Sequence, residues 1–156
     1  MQITFFLIPK AETVFLLERY TMRQALEKME YHGYTAVPVV DDEGKYLYTI
    51  TVSDFLWKLK NTPGLSCNDT EKIALTEIIK YTDIQAVNID SKLQDLLHRA
   101  MEQNFIPVVD DYNTYIGIVR RREIIEYCLP FIVPDEADTE TLDMDVPDLE
   151  EYDDEY

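Results

Sequence analysis

Two short segments of the chain carry side chains that could bind a small anion. Arg120, Arg121 and Arg122 form the one basic run, and guanidinium groups bind phosphate through paired hydrogen bonds without titrating. Thr51 and Asp54 place a hydroxyl and a carboxylate three positions apart at a predicted helix start. Each segment also has a structural interpretation, because arginines often pair with surface carboxylates and Ser53 or Asp54 could simply cap the helix.

An internal repeat determines how these segments are positioned. Pro-Val-Val-Asp-Asp at residues 38–42 recurs letter for letter at residues 107–111, and the alignment continues until Asp54 lies opposite Glu123. Such a repeat predicts two related halves rather than one irregular domain. Because related halves usually pack face to face, we expect any site to lie between them.

Hydrophobic spacing and turn residues predict the order β-α-β-β-α in each half. Thr21 and Ser91 are the predicted N-caps of the first helices, Ser53 or Asp54 caps the next, and Pro130 ends the last. The predicted strands cover residues 13–17, 34–40, 45–51, 84–89, 105–109 and 115–119. We therefore expect an α/β fold with a first unit at 1–60, a linker with a short helix (73–79) at 61–77, a second unit at 78–130 and a tail at 131–156.

The net charge of −17 is concentrated in that tail. Residues 135–156 hold twelve acidic and no basic residues, which leaves nineteen acidic and fourteen basic residues in 1–134. We expect a disordered tail that keeps the protein in solution, mimics a polyanion or docks a partner. The acidity argues against nucleic-acid binding. Two isolated cysteines and the lack of a signal peptide, a membrane span or metal-ligand spacing predict a cytoplasmic protein without a membrane or metal partner.

The order of elements, the Pro-Val-Val-Asp at the strand ends and Thr51-Val52-Ser53-Asp54 at a helix start resemble a tandem pair of CBS domains, a Bateman module. The resemblance covers roughly residues 6–128. It implies two β-α-β-β-α units about a pseudo-twofold axis, with small mixed sheets flanked by helices. It also implies two clefts between the units that bind adenosine-containing ligands, and a homodimer, for which the apolar faces at Leu56 and Ile125 would supply the interface.

The first implied cleft uses Thr51 and Asp54, which match the family's Ser/Thr-x-x-Asp pattern. In that pattern the hydroxyl reaches a phosphate of the ligand and the carboxylate reaches the ribose. The facing wall comes from the second unit and consists of Thr82, Asp83, Asn104, Phe105 and Ile106.

The second implied cleft replaces this pattern with Arg120 and Glu123. Several arginines beside a helix N-terminus favour a ligand with several phosphates or a phosphodiester. The other residues of this second cleft are Arg121, Arg122, Lys10, Tyr34, Thr35 and Ala36. The double Arg and the Gly-Tyr-Thr-Ala-Val-Pro at 33–38 are similar to stand-alone bacterial CBS proteins, some of which bind cyclic di-AMP. That ligand is a candidate beside AMP, ADP and ATP.

Catalytic chemistry has little support, because the chain has four glycines, no P-loop, no nucleophile elbow and two widely separated histidines. The leading hypothesis is a non-enzymatic sensor that needs no cofactor, binds an adenine nucleotide as a regulatory ligand and signals to a protein partner. The alternative is a constitutive interaction module that acts through its dimer surface and acidic tail. In that alternative the clefts are vestigial, as Tyr48 in place of Gly and Glu123 in place of Asp would suggest.

Overall fold

The computed structural model describes residues 2–132, and its two halves repeat the same elements. The helices are α1 (Met22–His32), α2 (Val52–Asn61), α3 (Leu93–Glu102) and α4 (Arg121–Ile132). The strands are β1 (Ile8–Pro9), β2 (Leu16–Leu17), β3 (Ala36–Val40), β4 (Tyr46–Thr51), β5 (Val87–Asn88), β6 (Phe105–Val109) and β7 (Tyr115–Arg120). The predicted α/β class is confirmed. Nearly all of the predicted tail, residues 133–156, lies outside the described residues.

Each half builds a small mixed sheet around one hairpin. Strand β2 is parallel to β3, and β3 is antiparallel to β4; β5, β6 and β7 repeat this pattern. The registers also match, because Ala36 pairs with Thr51 and Phe105 pairs with Arg120. The repeat seen in the letters is therefore a repeat of strand pairing.

The alternation of side chains along the strands produces three cores. Val39 and its neighbours on one face of the first sheet pack against α1 and α2, and Val108 occupies the same place in the second unit. The opposite faces of the two sheets meet around Tyr46 and Tyr115. At this contact the hairpins also bond each other, since the Tyr46 N–H donates to the Asn113 carbonyl at 3.0 Å. The two units are thus joined by both packing and backbone pairing.

Each unit also receives the segment that precedes the other unit. Ile3 and Phe6, which the sequence prediction counted with the first unit, are buried in the core of the second. Strand β1 follows them and pairs antiparallel with β7, with Pro9 opposite Gly117. A Cβ at Gly117 would lie 2.1 Å from the carbonyl oxygen of Ile8, so only glycine permits this pairing. In return, residues 73–78 add three apolar side chains to the first core: Ile73, Leu75 and Ile78.

Several predicted boundaries are wrong. Thr51, rather than Ser53 or Asp54, is the N-cap of α2. Lys92, rather than Ser91, precedes α3, and its N–H donates to the Asp95 carboxylate at 3.0 Å.

Several helices and strands also differ in length from their predictions. The expected short helix at 73–79 is a single 3-10 turn, Leu75–Glu77, and the predicted strands at 13–17 and 84–89 shrink to two residues each. Helix α4 continues through Pro130 to Ile132. A proline there removes one helical hydrogen bond, but both Pro130 and Glu126 are exposed, so water can satisfy the freed carbonyl.

Candidate functional site

A cavity of about 1060 Å³ lies between the two units and draws its walls from both. Ala36 and Thr51 of the first unit line it, as do Phe105 and Arg120, their counterparts in the second. Because each of these pairs is formed by neighbouring strands, the two predicted clefts meet in one continuous space. The volume is at the upper end of the range for small-molecule pockets.

The structure brings nine of the fifteen predicted site residues to this cavity. They are Tyr34, Thr35, Ala36, Thr51, Thr82, Asn104, Phe105, Arg120 and Arg122. The other six, which do not line it, are Lys10, Asp54, Asp83, Ile106, Arg121 and Glu123. Both walls are therefore mixed sets drawn from the two predicted clefts.

Asp54 is fully buried and acts as an anchor inside the protein. One carboxylate oxygen accepts the Thr51 N–H at 2.8 Å, and the other accepts the Tyr81 N–H at 2.9 Å. Thr51 Oγ1 in turn accepts the Asp54 N–H at 3.3 Å, which completes a capping box. With 1 % of its surface exposed, Asp54 does not reach the cavity and instead fixes the segment that carries Thr82 into the wall.

The three arginines have different environments. Arg121 Nε donates to the Gln103 carbonyl at 3.0 Å, and its backbone N–H donates to the Asn104 carbonyl at 2.9 Å, so this residue joins α4 to β6. Arg120 forms a two-contact ion pair with Glu123, and Arg122 Nε lies 2.6 Å from Glu126 Oε1. Both pairs are exposed and therefore weak.

The position of Arg120 and Arg122 suits an anion entering the cavity. Both line it at the start of α4, Arg120 as the last residue of β7 and Arg122 in the first helical turn, where the helix N-terminus adds favourable potential for negative charge. Glu12 and Glu102 also line the cavity, so its walls carry both signs of charge. A ligand phosphate must also displace Glu123 from Arg120 or Glu126 from Arg122.

Two buried tyrosines hold the wall segments that sequence reasoning missed. Tyr115 Oη hydrogen-bonds to Thr13 Oγ1 at 2.9 Å, and Tyr46 Oη donates to the Ile84 carbonyl at 2.9 Å. Thr13 and Ile84 both line the cavity. Burial raises the pKa of Tyr46 and of Tyr115 to about 12, so both phenols stay protonated at neutral pH. The signal available in the sequence was that Tyr46 and Tyr115 occupy the same place in the repeat.

The remaining predicted residues lie near the cavity but outside its surface. Lys10 Nζ lies 4.9 Å above the Phe15 ring. Asp83 borders a second, smaller cavity of about 420 Å³ beside β4. Ile106 has no exposed surface and belongs to the second core.

Other classes of site find no support in residues 2–132. Over this range no group of three or more His, Cys, Asp or Glu side chains is placed to hold a metal ion. Likewise, none of the helices described for this range has the length and apolar composition that crossing a membrane requires.

Comparison with known proteins identifies the repeated unit. The model of the CBS domain matches the chain twice, at residues 8–61 and 76–130. Among curated proteins, none matches the chain.

Solved structures share the whole arrangement. A CBS domain protein from Streptococcus pneumoniae TIGR4 is 26 % identical, with a TM-score of 0.74 over 83 % of this chain and 87 % of that one. CbpB from Listeria monocytogenes, solved in complex with c-di-AMP, is 19 % identical, with a TM-score of 0.74 over 83 % and 96 %. CBSX2, solved in complex with AMP, is 20 % identical, with a TM-score of 0.66 over 85 % and 98 %.

Proposed function

Because this chain belongs to the CBS domain family and consists of a tandem pair of CBS domains, we propose that it is a regulatory protein that binds an adenine nucleotide between its two units. The observation that carries the proposal is the continuous cavity of about 1060 Å³, which is lined by Arg120 and Arg122 of the second unit and Thr51 of the first. In this proposal the protein has no enzymatic activity, lies in the cytoplasm and passes the signal to a protein partner.

Cyclic di-AMP is the ligand that best suits the shape and symmetry of the cavity. The cavity is lined by equivalent positions of both units, such as Thr35 and Asn104, so its walls are related by the repeat. A cyclic dinucleotide also has two equivalent halves, each with a base and a phosphodiester. Two of the three structural neighbours named above were solved with c-di-AMP and with AMP, which supports an adenine nucleotide and makes AMP the second candidate.

One phosphodiester of this ligand belongs on the α4 side of the cavity. Asp54, on the α2 side, has both carboxylate oxygens occupied by backbone donors and is shielded from the cavity. Arg120 and Arg122 instead have exposed guanidinium groups whose partners are surface carboxylates. Exchanging such a carboxylate for a ligand phosphate costs little, because exposed ion pairs contribute at most about 1 kcal/mol. Because the two predicted clefts meet in one cavity, we expect one ligand per chain.

Isothermal titration calorimetry with cyclic di-AMP, AMP, ADP and ATP tests this proposal. We expect cyclic di-AMP to bind with a stoichiometry of one. Arg120→Ala should weaken binding by about tenfold or more, since a hydrogen bond to a charged group contributes about 1.5–3 kcal/mol. Arg23→Ala is the matched control, because Arg23 is an exposed arginine on α1 paired with Glu71 and does not line the cavity. Absence of binding by every adenine nucleotide would contradict the proposal.

The apolar faces of α2 and α4 support a homodimer as the functional form. Leu56 and Ile125 are 53 % and 50 % exposed at equivalent positions of the two repeats, and Trp57 and Leu129 extend these faces. Covering such a surface favours self-association. The alternative hypothesis, a constitutive interaction module, would use the same surface without binding a nucleotide.

Light scattering coupled to size-exclusion chromatography tests the dimer. Leu56→Glu combined with Ile125→Glu should convert the dimer into a monomer, whereas Ile79→Glu, an exposed apolar residue outside both helices, should leave the mass unchanged. A wild-type chain that elutes as a monomer at micromolar concentration would refute this part of the proposal.

A further inference from the structure

Three aromatic side chains lie side by side where α1 ends beside the cavity, and two of them, His32 and Tyr34, form a stack. The rings of His32 and Tyr34 are parallel to within 6°, with centroids 6.0 Å apart. The Tyr31 ring meets His32 edge-on at 5.0 Å. All three side chains are exposed, and Tyr31 retains 86 % of its accessible surface. Burial in a core therefore does not explain why these rings are aligned.

The chain reversal at Gly33 creates this alignment. Gly33 has a φ of +69°, a left-handed conformation that glycine adopts without strain. Its N–H donates to the Glu30 carbonyl at 3.1 Å, and the Tyr34 N–H donates to the Met29 carbonyl at 3.0 Å. The backbone turns back sharply after α1, so Tyr34 returns to lie over His32 instead of continuing outward.

The stack ends at the cavity. Tyr34 and Gly33 both line it, whereas His32 and Tyr31 do not. The imidazole of His32 lies parallel to one face of the Tyr34 ring, and half of the Tyr34 surface is still exposed. An exposed tyrosine without a neighbour would sample several rotamers, and ordering it on ligand binding would cost free energy.

We infer that His32 is a positioning residue that holds the Tyr34 ring as a platform for a flat aromatic base in the cavity. His32 does not touch the ligand; it lies parallel to one face of Tyr34, and the other face is left for stacking. The ligand class is a purine base carried by a nucleotide, because a π-face accepts any such base while the phosphate goes to Arg120 and Arg122. This inference rests on the proposed function and deepens it.

Binding of cyclic di-AMP to three variants tests the role of His32. His32→Ala removes the stack and should weaken binding about three- to tenfold, the range expected for one aromatic pair. His32→Phe restores a ring without a titratable group and should bind within about twofold of wild type. His98→Ala is the matched control, since His98 is the other histidine and its Nδ1 only contacts the Gln94 carbonyl on the exposed face of α3. The thermal midpoint without ligand should be unchanged in all three, because the stack is exposed.

A spectroscopic readout separates positioning from a general effect on the fold. A cyclic dinucleotide with 2-aminopurine in place of adenine should lose fluorescence on binding to wild type and to His32→Phe, because stacking quenches it. His32→Ala at saturating protein should quench it less. Two outcomes would overturn this inference and leave the proposed function intact, and in both the wild type binds the ligand. In the first, His32→Ala binds as tightly as wild type. In the second, His32→Ala and His32→Phe lose affinity equally. Failure of wild type to bind any adenine nucleotide would overturn the proposed function, and this inference with it.

Discussion

A methyl group at Gly117 should release the N-terminal segment from the second unit. In Gly117→Ala the new Cβ would lie 2.1 Å from the Ile8 carbonyl oxygen and 2.9 Å from Leu7 Cδ1. The first contact is with backbone, which cannot rotate away as a side chain would. Strand β1 must therefore move away from β7 or lose its pairing altogether.

The size of the effect follows from what β1 holds in place. The segment before it buries Ile3 and Phe6, which are 1 % and 4 % exposed, in the second core. Burial of each such side chain contributes about 1.5–3 kcal/mol, so full release would cost roughly 3–6 kcal/mol. We expect the free energy of unfolding to fall by about 3 kcal/mol or more. Ligand affinity should fall as well, because β1 leads into Thr13, which lines the cavity.

Urea denaturation followed by circular dichroism measures this loss, with Gly64→Ala as the control. Gly64 also has a positive φ, of +76°, but nothing lies within 4 Å of its Cβ position. It therefore reports the conformational cost alone, about 1–2 kcal/mol. Hydrogen exchange should show faster exchange at residues 3–9 in Gly117→Ala only. If Gly117→Ala loses no more stability than Gly64→Ala, the exchange of segments between units does not stabilise the fold as described.

Three further outcomes follow from buried polar groups. Asp54→Ala should destabilise the protein by about 2 kcal/mol or more, because it leaves two backbone N–H groups without their acceptor. Thermal denaturation would measure this loss, and a loss below about 0.5 kcal/mol would contradict the anchor role. Tyr48→Phe should leave the stability unchanged or raise it in the same assay, because Tyr48 Oη is buried without a hydrogen-bond partner among the described residues. A clear loss of stability would show that a partner exists. Burial raises the pKa of Tyr46, Tyr48 and Tyr115 from 10.0 to about 12, so the folded state holds these protons more tightly than the unfolded state. The stability from this difference is complete below pH 10 and is lost as the pH rises towards 12. Urea denaturation at pH 9 and at pH 11 would detect the loss. If an ultraviolet titration showed that all eleven tyrosines lose their protons near pH 10, the prediction would be wrong.

The hairpins and their register were predictable because their signals are local. The repeated Pro-Val-Val-Asp-Asp carries a β-rich strand into turn residues, and the return strand follows at a fixed offset. The structure pairs Ala36 with Thr51 and Phe105 with Arg120, as equivalent copies should. Seven of the nine predicted site residues that line the cavity lie at or next to these equivalent strand ends, whereas Thr82 lies in the segment before β5 and Arg122 in the first turn of α4.

The docking of residues 3–9 on the second unit was not predictable from local patterns. A run of apolar residues before the first strand is equally compatible with either core. The choice is made by tertiary pairing with β7, which depends on the absence of a side chain at Gly117, more than a hundred residues away. Glycine in a strand indicates a close backbone approach but does not say which segment approaches.

The two departures from the family pattern coincide with this exchange of segments between the units. In the second unit Gly117 admits β1 as a paired strand, and Glu123 lies at the surface beside Arg120. In the first unit Tyr48 occupies the place of Gly117, β4 is an edge strand, and Lys80 Nζ lies 3.9 Å above the Tyr48 ring. The preceding segment is held there by the buried carboxylate of Asp54 instead of by strand pairing. Each unit thus secures its neighbour's segment in a different way, the second by pairing with β1 and the first through the buried carboxylate of Asp54.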